Sequence, residues 1–511
     1  MANAAAPSLK DFLFVIARGK EAAALALHRF GFGPPGLPFA AYSIATLAAD
    51  PRGALLAELE RTKPAAGFAN LPSSAQAARD ISDFRAEEQA NKKLAQRVQK
   101  ENDGREVSAG TADAASMRLS AVPMSGKPDT KQPPLPQRVF QDEAAAHLDA
   151  AVNANIGFVE RLVWFWSNHF CVSADKDSAM VGAYEREAIR AHVLGRFGDM
   201  LAAVESHPAM LLYLDNVQSM GANSIAGINR DKGLNENLAR EILELHTLGV
   251  RSGYTQTDVT AFANVLTGWT WIDPAEPEHG GEFLFNKRLH EPADKIVLGK
   301  TYADAGVEQG RAVLADLAQH PATAQHIAEK LARHFVADNP PPALVGKLAK
   351  TFKDSGGNLK ELAKTLVTAD EAWTPQRTKL KTPAEWLVGV LRLAQARLPA
   401  PGADARPGAA QWLNIGRVLN FQAVLGQSLW RPPAPNGFAD TESAWIEGVP
   451  RRLDVANDFA GHLPGEIDPL ELLELGLGPL ASAQTRQTVA RGESRPQAFA
   501  LLVMAPEYLR R

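Results

Sequence analysis

Residues 235–249 carry the pattern that most constrains how this chain can fold. Leu238, Ile242 and Leu245 are spaced by four and then three residues, so a helix places them in one apolar stripe. The segment starts with an asparagine, which is favoured as a helix N-cap, and ends with a glycine, which is favoured just beyond a helix C-terminus. The pattern therefore predicts a helix that is buried along one side.

Helical signals dominate the rest of the chain. Thr255 with Asp258, and Thr382 with Glu385, have the spacing of capping boxes at helix starts. The best strand candidates lie within residues 270–303, where two short apolar runs, at 282–285 and 295–299, flank a polar segment. We expect a mainly α protein with one large multi-helix core, one small β-hairpin and a flexible polar insertion.

Composition and local pattern divide the chain into consecutive regions without an internal repeat. The insertion is assigned to a stretch that is polar, partly charged and poor in large apolar residues, and we expect part of it to be disordered. The expected regions are N-terminal helices at 1–69, the polar insertion at 70–140, a central helical core with the motif helix at 141–270, the β-hairpin at 271–303 and the C-terminal part of the same core at 304–511.

Charge and composition exclude several functional classes. A net charge of -4 over 511 residues argues against nucleic acid as the main partner. No run of 18 apolar residues is present, so we expect no membrane span. Cys171 is the only cysteine, which excludes an intrachain disulfide and a multi-thiolate metal site. The apolar stretch at 12–17 is too short and too charged for a signal peptide, which favours the cytoplasm.

Glu241 is the main candidate for a catalytic role. It lies beside the apolar stripe and has no basic residue one turn away on its own helix. A carboxylate near a core must be hydrogen-bonded, paired or protonated, and functional sites often use such groups. Two interpretations stay open. Glu241 is a general base or carboxylate ligand oriented by Asn237, or it forms a buried structural pair with an arginine such as Arg29, Arg161 or Arg186.

Further candidates lie at helix ends and in loops. His169 follows an aromatic helix end and is a candidate proton carrier or metal ligand, or alternatively a helix cap. His290 lies in the predicted hairpin loop, where a functional role competes with a solvated loop position. The expected metal candidates are His169, Glu241 and His290, with a divalent metal as the cofactor to test. The expected substrate-binding residues are Asn168, Asp215, Lys295 and Trp269.

Common catalytic signatures are missing from the chain. It has no nucleophile elbow, no zinc-protease helix motif and no phosphate-binding loop. The aromatic and proline-rich loop at 430–438 is a candidate lid or docking surface, or alternatively a packed covering loop.

Several motifs, taken in order, resemble the bacterial family called domain of unknown function 1800. They are Phe165 to Phe170, Tyr213 to Asn216, the segment 235–249, Gly253 to Thr255 with Asp258, Thr267 to Trp269, His290 with Lys295 and Gly299, and Arg431 to Pro433 with Asn436 and Gly437. The resemblance covers nearly the whole chain. The family is largely uncharacterised. Its members are often exported and often encoded beside a sulfatase-like family, which implies periplasmic or extracellular work and a sulfatase-like partner for some of them.

Two positions depart from the family pattern. Ser167 stands where the pattern Trp-His-Asn-His-Phe has its first histidine, so a metal that used both histidines would lose one ligand here. His246 stands where the family commonly has phenylalanine, which argues against an essential role for it.

Two functions are therefore expected to compete. One is an enzyme, hydrolytic or metal-assisted, with Glu241, His169 and His290 around an accessible cavity. The other is a non-catalytic helical scaffold or an envelope- or secretion-associated binding protein, in which the same polar residues form a buried network.

Overall fold

The computed structural model describes residues 16–36, 42–60, 66–108, 133–228, 233–396, 398, 413–463 and 468–511. The protein is mainly α, as predicted. The α-helices before the strands span Gly19–Leu25, Ile44–Leu47, Pro51–Glu60, Ser74–Ser108, Leu135–Val152, Phe158–His169, Val181–Tyr184, Phe197–Glu205, Pro208–Tyr213, Asn237–Glu241 and Gln256–Leu266. Those after the strands span Val307–Gln319, Pro321–Phe335, Pro342–Asp354, Leu359–Thr368, Pro383–Leu393, Ile415–Val424, Glu442–Trp445, Val449–Ala460, Pro469–Gly476, Ala483–Ala490, Arg495–Val503 and Pro506–Leu509.

The helix starts confirm the capping-box predictions. Thr255 and Thr382 each accept the backbone N–H of the residue three positions on, while Asp258 and Glu385 each bond back to the cap backbone. These reciprocal bonds satisfy backbone donors that a helix start leaves free. The position of Glu385 is thus fixed partly by its own helix.

Among the described residues, three segments widen into a π-helical turn: Ala26–Phe30, Glu185–Ile189 and Ile242–His246. The third lies in the segment 235–249, which is helical as predicted from Asn237 onward. Asn235 accepts the backbone N–H of Asn237 at 2.9 Å, and Gly249 has a φ of 93° beyond the helix end. The apolar spacing did not predict the extra residue in the turn, and the buried face shifts there: Leu238 and Ile242 are buried as predicted, but Leu245 is only partly buried and His246 is buried instead.

The strands form two antiparallel hairpins in the described part of the chain, rather than the single one predicted. Trp269–Trp271 pairs with Phe283–Phe285, and Lys295–Val297 pairs with Lys300–Tyr302. The predicted strands at 282–285 and 295–299 therefore do not pair with each other. A two-residue turn with positive φ at Leu298 and Gly299 folds the later strand back locally.

The first half of the predicted polar insertion is helical. Ser74–Ser108 is one long helix, and its side chains are exposed from Arg85 to Glu101. Residues 109–132 of the predicted flexible stretch lie outside the described residues. None of the helices in the described part of the chain combines the length and the apolar character that crossing a membrane requires.

Buried apolar side chains form two large adjacent clusters. The first contains Trp166, Phe335 and Trp373, and the second contains Trp386, Phe459 and Phe499. Ile415 and Leu480 pack against both clusters. The boundary between these clusters is where the candidate site lies.

Candidate functional site

A cavity of about 100 Å³ opens at the boundary between the two apolar clusters. Its wall includes Trp164 and Asn168 from the helix Phe158–His169, Tyr184 from the next helix, and Trp430 and Phe438 from the proline-rich loop 430–438. Titratable groups from distant parts of the chain also reach it: His147, Glu185, His334, Glu385 and Asp440. The cavity thus joins aromatic walls to carboxylates and imidazoles.

His147 and Glu185 form the first carboxylate–imidazole pair of the cavity wall. His147 Nδ1 lies 2.7 Å from Glu185 Oε1, and both side chains are almost completely buried. His147 comes from the helix Leu135–Val152, and Glu185 opens the π-helical turn Glu185–Ile189. A π turn re-aims side chains relative to a regular helix and is frequent at functional sites.

Glu185 is held in its ionised form. Burial raises its pKa, but the His147 imidazole, the Arg190 guanidinium and the Trp430 indole N–H together lower the pKa to about 2. Trp430 Nε1 donates to Glu185 Oε2 at 3.0 Å, and Ser167 Oγ donates to the same oxygen at 2.8 Å. An ionised carboxylate only accepts hydrogen bonds, so the proton of the His147–Glu185 contact is on Nδ1.

The His147 ring is oriented by two tryptophans. It stacks on Trp164 at 4.9 Å between ring centroids and meets Trp430 edge to face at 5.2 Å. Its other nitrogen, Nε2, forms no hydrogen bond with the described protein. Since Nδ1 is held by Glu185, Nε2 is the ring nitrogen of His147 that stays available in the wall of the cavity.

The backbone of Trp430 adopts a strained conformation. Its φ is 51°, in the left-handed region that a bulky side chain rarely adopts. Backbone strain of this kind costs about 1–3 kcal/mol and persists only where surrounding contacts enforce it. Its carbonyl accepts Ala174 N–H and its indole donates to Glu185, so one of the bonds that hold Trp430 in this conformation belongs to the cavity wall.

His334 and Asp440 form the second carboxylate–imidazole pair of the cavity wall, and this pair leaves no ring nitrogen free. His334 Nδ1 lies 2.8 Å from Asp440 Oδ2. Its Nε2 lies 3.1 Å from Arg161 Nη2, a group that can only donate, so both ring nitrogens are occupied. Burial lowers the pKa of His334 to about 4 against the opposing effect of Asp440. This histidine is neutral and fully bonded at pH 7.

Behind the second pair lies a buried charge network. Arg511 donates to both oxygens of Glu385 at 2.9 Å, and Arg161 Nη2 lies 2.8 Å from Glu385 Oε1. Burial raises the pKa of Glu385, but Arg161 and Arg511 outweigh it and lower the pKa to about 2. Lys379 Nζ lies 3.1 Å from Asp440 Oδ1. The carboxylates of the wall are therefore compensated by cations from within the protein.

Glu241, the main candidate from the sequence, does not line this cavity. It is half-buried, and burial raises its pKa. Among the described residues it forms no ion pair and no hydrogen bond. The arginine partners proposed for it bond elsewhere: Arg29 donates to backbone carbonyls, Arg161 pairs with Glu385 and Arg186 pairs with Glu143. Asn237 is exposed. A catalytic role for Glu241 and Asn237 stays a prediction.

His169 and His290 occupy separate environments. The His169 ring is buried, its Nε2 contacts the carbonyl of His246 at 3.1 Å, and its Nδ1 has no partner. His290 Nδ1 contacts the carbonyl of Thr267 at 2.9 Å. The described residues contain no cluster of three or more histidines, cysteines or carboxylates that could hold a metal ion. The predicted set of His169, Glu241 and His290 is therefore not assembled as a ligand sphere.

Asn168 is the predicted residue that does line the cavity. Its Nδ2 donates to Phe438 O at 2.9 Å, and its Oδ1 accepts Phe438 N–H at 2.8 Å. Gly437, at φ 77°, lets the loop approach this closely, because a Cβ there would lie 2.4 Å from Asn168 O. Asn168 therefore anchors the loop 430–438 over the cavity.

The other predicted substrate-binding residues lie elsewhere. Asp215, with a φ of 58°, pairs with Lys176 at 3.0 Å. Lys295 Nζ donates to the carbonyls of Pro292 and Ala293. Trp269 is fully buried, and its indole N–H has no partner. These residues do not line the cavity, and a role in substrate binding stays a prediction for them.

Sequence reasoning missed His147 and Glu185. They are 38 residues apart, lie on different helices and belong to no recognisable motif. The available signal was indirect. Ser167 stands where the family pattern has histidine, and its hydroxyl donates to Glu185. This departure from the family pattern therefore lies next to the pair that sequence reasoning missed.

Comparison with known proteins places the chain in a family but assigns it no activity. Residues 25–510 match the model of a family described as a protein of unknown function, DUF1800. The chain matches no curated protein and no solved structure.

Proposed function

Since the chain belongs to the DUF1800 family, whose description names no reaction, we propose its function from the cavity: an enzyme that transfers a proton on a small substrate. His147 is the general base, and Glu185 is the residue that orients it. The observation that carries this proposal is the free Nε2 of His147, in a cavity wall, on an imidazole whose Nδ1 is held by an ionised carboxylate.

The proposed step uses groups already in place. His147 Nε2 accepts a proton from an O–H or N–H of the substrate, which leaves the electron pair of that bond on the substrate. The imidazolium formed is stabilised by Glu185 at 2.7 Å. Positioned acid–base groups of this kind contribute a factor of roughly 10²–10⁴ to a rate.

Two further features support a functional site rather than an ordinary hydrophobic core. Trp430 keeps a strained backbone while its indole donates to Glu185. Glu185 is also the first residue of a π-helical turn. Both features cost stability locally and are over-represented at functional sites.

A non-catalytic scaffold is the second candidate. It is favoured by the way motif side chains bond the backbones of neighbouring motifs: Asn168 with Phe438, Asn235 with Asp215, and His290 with Thr267. In this alternative the motifs hold loops together, and a sulfatase-like or envelope partner binds elsewhere. Metal-assisted hydrolysis through Glu241, His169 and His290 stays a prediction without a ligand cluster to support it.

The deciding experiment compares His147→Gln with wild type. Each purified protein is incubated with a bacterial metabolite extract, and consumed and formed compounds are followed by mass spectrometry. We expect at least one metabolite to be converted by wild type and at least 10²-fold more slowly by His147→Gln. His279→Gln, at a histidine with a largely exposed side chain, is the matched control and should behave as wild type.

Folding must be checked in parallel by thermal unfolding. Glutamine can still donate to Glu185, so we expect His147→Gln to remain folded. Equal conversion by both proteins would reject His147 as the general base, and no conversion by wild type would reject the enzyme and favour the scaffold.

A further inference from the structure

Lys330 carries a half-buried amine that forms no hydrogen bond and no ion pair with the described part of the chain. The other described lysines differ from it. The two that are almost completely buried have partners, since Lys379 bonds Asp338 and Lys381 contacts His28. Those without a partner are exposed to solvent. A lysine that is withdrawn from water is almost always paired, so this amine needs an explanation.

The helix that carries Lys330 fixes where the amine lies. His326 and His334 lie one turn before and one turn after Lys330, so the three side chains share one face of the helix. The His326 ring centroid lies 6.1 Å from that of His169. The His334 ring centroid lies 5.4 Å from that of Phe165. Lys330 is therefore placed between two ring contacts that join its helix to the helix ending at His169.

The ionisable groups around the amine do not act as its counterion. After burial, the charge of Lys330 has the largest influence on the pKa values of Cys171, His169 and His326. Burial raises the pKa of Cys171 to about 12 and lowers the pKa of both histidines, so all three are neutral at pH 7. Each of them contacts a backbone carbonyl instead.

The surroundings of Lys330 make its amine more reactive than that of an exposed lysine. Burial lowers its pKa from 10.5 to about 8, and the opposing effect of Asp440 is too small to restore it. A larger share of the amine is therefore unprotonated near neutral pH. An unprotonated lysine in a desolvated position is the nucleophile that attacks carbonyl carbons in enzymes.

The neighbouring charges favour an uncharged carbonyl compound over a keto acid. A carboxylate would need a second cation, and Arg333 is the cation one turn away on the same helix. Arg333 already donates to Glu329 and to the carbonyl of Asp338. Asp440 adds negative charge near the amine. An anionic ligand would therefore find no free cation besides Lys330 on this helix face and would be repelled by Asp440.

We propose that Lys330 is a covalent binding site for a neutral aldehyde or ketone, which it holds as an imine. The electron pair of Nζ forms a bond to the carbonyl carbon, and the π pair of the C=O bond moves to oxygen, which takes a proton from the nitrogen. The carbinolamine then loses water, and a C=N bond remains. No oxidant or reductant is needed. This site lies apart from His147, and the inference does not depend on the proposed function.

The test traps the imine on the full chain at pH 7.5 with propanal and sodium cyanoborohydride, whose hydride converts the C=N bond into a stable amine. Labelled lysines are identified by peptide mass spectrometry. We expect Lys330 to be labelled about tenfold or more faster than Lys353, an exposed lysine without a partner among the described residues. Labelling of Lys330 at the rate of Lys353 or more slowly would overturn the inference.

A second probe tests the charge of the ligand. With the anionic aldehyde glyoxylate, the labelling of Lys330 relative to Lys353 should fall at least about threefold below its value with propanal. The use of Lys353 as an internal standard removes the difference in intrinsic reactivity between the two aldehydes. An equal or higher ratio with glyoxylate would overturn the preference for a neutral compound.

A structural role of Lys330 is tested by urea denaturation of Lys330→Met. An unpaired, half-buried ammonium does not stabilise the fold, so the urea midpoint should stay the same or rise. Lys379→Met, which removes a lysine paired with Asp338 and Asp440, should lower it. An equal decrease in both variants would show that Lys330 supports the fold, and would overturn the inference. Trapping is read without a conversion assay, so its failure and the failure of the proposed function are separate results.

Discussion

The two carboxylate–imidazole pairs of the cavity wall look alike but differ at one atom. His147 contacts Glu185 at 2.7 Å and His334 contacts Asp440 at 2.8 Å, both through Nδ1. The remaining nitrogen of His334 is occupied by Arg161, whereas that of His147 has no protein partner. An oriented imidazole is therefore available for chemistry only where its second nitrogen is left free.

The surroundings of the two pairs explain this difference. Arg161 couples His334 to Glu385 and so to the buried network of Arg511 and Lys379. The His147 pair has Trp164 and Trp430 around it instead, with no cation directed at Nε2. We expect the His334–Asp440 pair to determine stability and the His147–Glu185 pair to determine function.

Arg161→Met should have the largest effect on stability, because it leaves part of the charge of Glu385 unpaired. Breaking a buried ion pair from one side costs about 3–5 kcal/mol. The free energy of unfolding, measured by urea denaturation, should fall by about that amount. Arg311→Met removes an exposed pair with Glu308 and should change it by less than about 1 kcal/mol. Equal losses in the two variants would refute a structural role for the His334 network.

The helix boundaries of this network were predictable from the sequence, but its contacts were not. The Thr382–Glu385 capping box is a local pattern and forms as predicted. The partners that Glu385 meets, Arg161 and Arg511, are 224 and 126 residues away. The His147–Glu185 pair likewise depends on how two helices pack, which the spacing of apolar residues within each helix does not define.

His334→Gln should make the free energy of unfolding less dependent on pH below neutrality. Burial lowers the pKa of His334 from 6.5 to about 4, so between these values the unfolded chain binds a proton that the folded chain does not. Stability is therefore lost as the pH falls from about 6.5 towards 4. Removing this group should reduce the slope by up to about 1.4 kcal/mol per pH unit.

Urea denaturation at several pH values between 7 and 4 measures this slope. His28, His169 and His326 also have lowered pKa values because they are buried, so a residual slope is expected in the variant. His279→Gln, with its side chain largely exposed, serves as the control. A slope that is the same in His334→Gln and wild type would mean that His334 is not buried as a neutral group.

Ser167→Ala should have a smaller effect on the His147 pair. It removes one hydrogen bond to Glu185, but His147 and Trp430 still donate to that carboxylate, and water from the cavity can replace the hydroxyl. We expect a loss of about 1 kcal/mol in the free energy of unfolding. A loss as large as that of Arg161→Met would show that the two pairs are equally enclosed. It would contradict the different roles assigned to them.

Glu241→Gln should have the smallest effect on stability, and it tests the site that the sequence favoured. Burial raises the pKa of Glu241, so its charged form is slightly unfavourable in the folded protein at neutral pH. Replacing it by a neutral amide should leave the free energy of unfolding within about 0.5 kcal/mol of wild type or slightly higher.

The same variant also separates the two candidate sites in the conversion assay. Glu241 does not line the cavity, so its amide variant should convert the same metabolite at a rate within about twofold of wild type, while His147→Gln does not. The opposite pattern, with conversion lost in Glu241→Gln and retained in His147→Gln, would move the active site to the helix that carries Glu241. In that case the segment 235–249 would carry the active site, and the Nε2 of His147 that has no protein partner would need a structural explanation.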